Sequence, residues 1–264
     1  MGTMSLSAIL AFVWIINASL KTNRDFIGTP PFSITKTFSF GNYARAWEDG
    51  GVATFFANSV LVAVASTVLG VGLAVLAAYP LARIPFRASG LVLGIFVLGL
   101  AVPWMVTFIP LYLTLQDLGL LDSRLGLVLV YATYNLPFNV FVMVGFTKSL
   151  PSELEEAAAV DGAGPARTFF SVILPLLGPG VASVTIISFL NNWNEFFYAV
   201  VFIHSEGHMT LPVGLWRLSQ AAEYASNWVT LFGAMIITSI PVLVIFSFLQ
   251  RHITAGLTAG ALKG

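Results

Sequence analysis

Long apolar runs, broken by short polar stretches, set the rhythm of this chain. Six have the size of a membrane span, roughly Met4–Leu20, Gly51–Ala82, Ala88–Leu115, Leu125–Thr147, Gly180–Ile203 and Trp228–Leu249. About 20 apolar residues in a helix cross the hydrocarbon of a bilayer, and a helix satisfies its own backbone groups there. The pattern predicts an all-α membrane protein with six transmembrane helices. The polar breaks have turn chemistry. Pro85 discourages a continuous helix in Arg83-Ile84-Pro85-Phe86-Arg87. Gly119 and the Asp122-Ser123 pair punctuate Asp117–Arg124. A Thr-, Pro- and aromatic-containing connection, Lys21–Glu48, follows the first run, and a longer polar one, His204–Asn227, precedes the last. The tail, 251–264, is rich in Gly, Ala and Thr. No internal repeat is visible, so residues 1–264 read as a single transmembrane domain.

Composition supports that reading. Only 9% of the 264 residues are charged and the mean hydropathy is +0.88, whereas a soluble domain carries about a quarter charged residues. The first run is short enough to compete with a signal peptide. No basic residue precedes it, and the large Ile16 lies just before a cut after Ala18; a retained first helix is the expectation. There are no cysteines, so thiolate metal sites and disulfides are excluded. Charge does not orient the chain. With six spans, Arg83, Arg87, Lys148, Arg167, Arg251 and Lys263 share the side of the termini, against Lys21, Arg24, Lys36, Arg45, Arg124 and Arg217 opposite. The positive-inside rule returns a tie. With formal net charge zero, no nucleic-acid partner is expected.

The most polar interruption lies between the fourth and fifth runs, about residues 148–179. Ser152-Glu153-Leu154-Glu155 matches a capping box, and Glu153, Glu155 and Glu156 fall where the helix dipole favours negative charge. Ala157, Ala158 and Ala159 are strong helix formers, and Gly162 offers a left-handed stop. Pro165 suits the first turn of a second short helix, which Pro175 interrupts or kinks. This predicts a helical elbow with a smooth alanine face, rimmed by Glu156 and Asp161 and able to enter a groove on another protein. An amphipathic helix at the membrane surface is the alternative, although such helices more often carry Lys or Arg.

The order Glu156-Ala157-Ala158, three residues, Gly162, nine residues, Val172, then Leu174-Pro175 resembles the signature loop of ABC-importer permeases, with Val172 in place of the usual Ile. Ser19-Leu20-Lys21-Thr22, Asn42-Tyr43, Ala78-Tyr79-Pro80-Leu81-Ala82-Arg83 and the ending Gly256–Gly264 resemble the carbohydrate, maltose-type branch, over essentially the whole chain. The resemblance implies that the loop is cytoplasmic and its first helix enters a cleft of an ATP-hydrolysing subunit. Glu155, Glu156, Ala157, Ala158, Asp161 and Gly162 would form the coupling element, and both termini would be cytoplasmic. It further implies a second permease subunit, two ATP-binding subunits that hold ATP and Mg, an extracytoplasmic sugar-binding protein, and a bacterial or archaeal cytoplasmic membrane.

The chain itself reads as non-catalytic. It contains no G-x-x-x-x-G-K-[ST] phosphate loop, and His204 and His208 without a third ligand read as ordinary loop residues. Candidates for a substrate path are polar or aromatic groups within the runs. Asn191, Asn192, Trp193, Asn194 and Glu195 form the densest group, with Asn135, Asn139 and Trp104 as weaker candidates. Amides and carboxylates accept hydroxyl hydrogen bonds, and Trp offers a flat apolar face; the same groups could instead bond helix to helix. Gly90 and Gly94 allow close helix packing. The expectation is half of an alternating-access pathway. The rivals are a self-sufficient secondary transporter or channel, poorly supplied with ionisable groups since Glu195 is the only acid deep in a run, and a scaffold without a path.

Overall fold

The computed structural model describes residues 2–35, 38–225 and 227–261. Lys36 and the end of the tail, with Lys263, lie outside the described residues. Those described are helical throughout, joined by turns: α1 (Gly2–Ser19), α2 (Asn23–Gly28), α3 (Gly41–Trp47), α4 (Val52–Arg83), α5 (Ser89–Ala101), α6 (Phe108–Asp117), α7 (Arg124–Ser149), α8 (Glu153–Val160), α9 (Pro165–Thr168), α10 (Leu174–Leu176), α11 (Gly178–Asn194), α12 (Phe197–Phe202), α13 (Leu211–Ala225) and α14 (Trp228–Ala261).

Among the described residues α4 and α7 are single helices long and apolar enough to cross a membrane. Their 32 and 26 residues correspond to about 48 and 39 Å, beyond the roughly 30 Å hydrocarbon layer. The third and fifth runs, each expected as one span, are broken helices. In the third, α5 ends at Val102-Pro103, a 3-10 turn covers Trp104–Thr107, and α6 leaves at 100° to α5. A proline has no N–H to continue the ladder, and the residue before it is pushed out of helical geometry; Val102 is extended. In the fifth, α11 is bent by 71° from the segment Pro165–Leu176 before it and stops at Asn194, short of the expected Ile203. The first and last runs supply shorter apolar helices, Ser5–Ser19 and Trp228–Val244. The turn after α6 follows its glycine signal. Gly119 is left-handed (φ +66°), Gly119 N–H bonds the Gln116 carbonyl and Leu120 N–H that of Leu115, closing a Schellman motif. Ser123 then caps α7, accepting from the N–H groups of Leu125 and Gly126.

The helices group into two compact units, Met1–Val60 with Glu195–Ser247, and Leu61–Asn194 with Phe248–Gly264. In the first, Trp14, Phe26 and Phe232 pack edge to face at 5.3–6.4 Å between centroids. The polar connection after α1 is built on α2 and α3. Asn42 donates to the carbonyls of Ser19 and Lys21, both at 2.7 Å, and the hydroxyls of Ser19 and Tyr43 are 2.6 Å apart. The segments Ser19–Thr22 and Asn42-Tyr43 therefore meet, and their residue types are fixed by that clamp. The connection expected before the last run contains α13. Asn58 donates to the carbonyls of Gly207 and Met209, and Ser59 accepts from Leu211 N–H. A side chain at Gly214 would start 2.1 Å from the Phe55 ring.

The second unit is built on α4, α7 and α11. Its core joins Val71, Ala74, Val75 and Ala78 of α4 to Val140, Met143 and Val144 of α7 and Val184 of α11, with Phe169, Ile173 and Leu177 from the elbow region. Backbones approach closely where side chains are smallest. A Cβ at Gly70 would lie 3.0 Å from the Ala132 carbonyl, and one at Gly180 would lie 2.7 Å from the Phe146 ring. The expectation placed close packing at Gly90 and Gly94 instead, but neither would meet anything within 4 Å.

Candidate functional site

The elbow begins where α7 ends at Ser149. Leu150 and Pro151 are followed by α8, with Glu153, Glu155 and Glu156 in its first turn, favourable against the helix dipole. The expected capping box does not form. Ser152 is itself in helical geometry (φ −69°, ψ −25°) and its side chain makes no cap bond, whereas a capping residue is normally extended so that its oxygen reaches N–H groups ahead. Glu155, the other half of the box, is drawn elsewhere. Its carboxylate lies 3.1 Å from Arg83 Nε at the end of α4.

The far end of α8 follows the sequence closely. Gly162 is left-handed (φ +76°), Gly162 N–H bonds the Ala159 carbonyl and Ala163 N–H that of Ala158. Those two bonds complete a Schellman motif. Pro165 then opens α9. The chain continues through a π-helical turn, Phe169–Ile173, into α10. Pro175 removes an N–H from the ladder, and the wider i→i+5 bonding just before it accommodates the ring. Phe169, Ile173 and Leu177, four apart, are buried in the unit's core.

The elbow has an inner and an outer side. Ala158 is the one buried residue of α8, while Glu156, Ala157, Ala159, Val160 and Asp161 are exposed, Val160 to 87%. Among the described residues neither Glu156 nor Asp161 makes an ion pair. Within the expected coupling set, Glu155 and Ala158 thus face inward, and Glu156, Ala157, Asp161 and Gly162 face outward.

The amides in the middle of the second unit are arranged differently. Asn135 of α7 donates to Asn192 Oδ1 of α11 at 2.8 Å and accepts from Asn191 at 3.2 Å. Asn192 donates in turn to Ser66 and Thr67 of α4, at 2.9 and 3.1 Å. One turn away Ser188 donates to Asn139 Oδ1 at 3.0 Å, while Asn139 Nδ2 is buried with no hydrogen-bond partner among the described residues. Asn135, Asn139 and Asn192 are buried and cross-link three helices, whereas Asn191 and Asn194 are exposed. Buried Trp193 stacks on Phe189, and half-buried Trp104 meets Phe108 edge to face. In the first unit, Glu195 accepts from the N–H groups of Tyr198 and Ala199 and so caps α12. Sequence reading missed Ser66, Thr67 and Ser188, although Ser66-Thr67 stands out as a polar pair inside the apolar α4. It also missed the Arg83–Glu155 pair, whose members are far apart along the chain. Among the described residues no group of three or more His, Cys, Asp or Glu is placed to hold a metal ion.

Residues 70–258 match the binding-protein-dependent transport system inner membrane component family. The chain is 35% identical over 259 residues to the diacetylchitobiose uptake system permease protein NgcG of Streptomyces coelicolor, covering 98% of this chain and 85% of that one. It is 31% identical to the trehalose/maltose transport system permease protein MalG of Thermococcus litoralis, covering 99% and 94%. Its fold matches a chain in the crystal structure of a bacterial ABC transporter involved in the import of the acidic polysaccharide alginate, with a TM-score of 0.83, 26% identity, and 95% and 92% coverage. The chain belongs to the binding-protein-dependent transport system inner membrane component family, the permease subunits of ABC importers.

Proposed function

We propose that the chain forms half of an alternating-access path for a carbohydrate, delivered by an extracytoplasmic binding protein and moved by two cytoplasmic ATP-binding subunits. The observation that carries this is the outer side of the elbow. It is a small-residue face, Ala157 and Ala159, with Val160 protruding and Glu156 and Asp161 at the rim, set on a helix whose far end is locked by the Schellman turn at Gly162. Small side chains let a partner surface approach closely, and unpaired carboxylates at the rim offer charged anchors to basic groups. The bilayer is a poorer partner, because acidic rims are disfavoured against anionic lipid.

In this reading the elbow and both termini are cytoplasmic, α1 and α14 complete six spans, and a second, similar permease closes the path. The partner subunits hold ATP and Mg and carry out hydrolysis; this chain holds neither. ATP favours one state by binding it better, and the elbow passes that preference into the helices it is packed against. The sugar class rests on the relatives' transport of diacetylchitobiose and of trehalose or maltose. Asn191 and Asn194, exposed on α11, face the path, while Asn135, Asn139 and Asn192 hold the wall behind them. Polar groups at membrane depth face protein or water.

Affinity purification of the membrane complex in mild detergent, with mass spectrometry of what co-purifies, tests the assembly. A phosphate-loop ATPase together with a second permease is the expected result. An intact homo-oligomer without an ATPase would replace this reading with a secondary transporter.

A further inference from the structure

The last turn of α4 touches the elbow at every stage of its path. Arg83 donates to the Leu150 carbonyl, where the chain leaves α7, and its Nε lies 3.1 Å from the Glu155 carboxylate on α8. One turn earlier the Tyr79 ring lies 4.9 Å from that of Phe169, the buried residue that starts the π turn. Both members of the ion pair are largely shielded, at 15% and 19% side-chain exposure. Removing one partner of such a pair leaves the other charge poorly solvated, so it resists separation more than a surface pair would. The elbow is joined by chain to α7 and α11, but among the described residues its only ion pair is with α4.

We infer that Arg83, with Tyr79, is a positioning latch: it clamps α8 and the π turn of the elbow to the end of α4, so that displacement of the elbow moves α4 directly. This rests on the elbow being the ATPase contact, and it assigns α4 as the helix that receives the movement. The consequence reaches the middle of the unit, because α4 also carries Ser66 and Thr67, which hold Asn192 of α11. A shift of α4 along its axis is therefore felt at the amide cluster beside Asn191. Glu155 acts inward through Arg83, in contrast to Glu156, which faces outward.

The test uses the complete complex, reconstituted in proteoliposomes with its ATPases and its binding protein. Sugar uptake and ATP hydrolysis are measured together for the wild type, for Arg83→Gln, and for the exchange Arg83→Glu with Glu155→Arg. For Arg83→Gln the ATPases still co-purify and uptake per ATP falls by about fivefold or more, the lower range of measured coupling between sites; the exchange recovers at least part of that loss. Tyr79→Ala, which removes the ring from Phe169, gives a smaller drop. Wild-type uptake per ATP in Arg83→Gln would overturn the latch. So would loss of both uptake and ATPase association in Arg83→Gln with no recovery in the exchange, since that pattern marks a damaged elbow rather than a transmitting one. Failure of the wild-type chain itself to associate with an ATPase would count against the importer assembly and not against Arg83 alone.

Discussion

The second unit holds two polar islands, and they are used in opposite ways. In the middle, Asn135, Asn192, Ser66 and Thr67 bond to one another across α7, α11 and α4. At the elbow, Glu156 and Asp161 stand exposed, and among the described residues only Glu155 is in an ion pair. The difference separates groups that hold the helices together from groups offered to something else. A buried amide left without a partner costs stability, so an amide network with mutual partners is a structural device. A carboxylate on an outward helix face costs little where it stands and can be recruited by an incoming subunit.

The largest effect is expected at the outward island. Glu156→Lys combined with Gly162→Pro reverses the rim charge and places proline where φ is +76°, a value its ring forbids. Membrane insertion is retained, and uptake in vesicles falls roughly a hundredfold, the upper range of coupling effects, with loss of ATPase association. Normal uptake would erase the distinction between the two islands. Next is Asn192→Leu, which takes one hydrogen-bond partner each from Ser66, Thr67 and Asn135; thermal unfolding in detergent should show about 1–2 kcal/mol of lost stability. No loss would mean that the inner island is not structural. The smallest effect on stability is expected for Asn194→Ala, whose side chain bonds only the Leu190 carbonyl of its own helix. Stability should change by less than about 0.5 kcal/mol, while the sugar concentration for half-maximal uptake shifts. An unchanged uptake curve would remove Asn194 from the path.

What the sequence made legible was local. The limits of α4 and α7 fell within about two residues of the apolar runs, because each long helix ends at a capping or turn signal that lies beside it. Gly162 marked a left-handed stop, Gly119 a turn and Pro165 a helix start, since those preferences belong to single residues. Two runs were each expected as one span, and the chain breaks within them, at Pro103 and after Asn194. Hydropathy sums over a window and does not register a sharp bend inside it. The capping box at Ser152 and Glu155 failed for a different reason. Its pattern is local, but Arg83 competes for Glu155 from another helix, and no window of sequence contains both. The same limit applied to the amides. Asn135 and Asn192 were legible as unusual, but Ser66 and Thr67, the groups that consume their hydrogen bonds, are distant along the chain. Glu195 read as an acid deep in a span, yet it caps α12, a helix start hidden within an apolar run.

The central claim is that the outer face of α8 is the contact with an ATP-hydrolysing partner. The chain has no cysteine, so Ala157→Cys introduces a single thiol on that exposed face. A short thiol-to-amine cross-linker applied to intact, transport-competent membranes should yield one product joining this chain to an ATPase subunit, with the yield changing when ATP is bound. A transport-competent Ala157→Cys complex that cross-links only to lipid or to nothing, with or without ATP, would contradict the account.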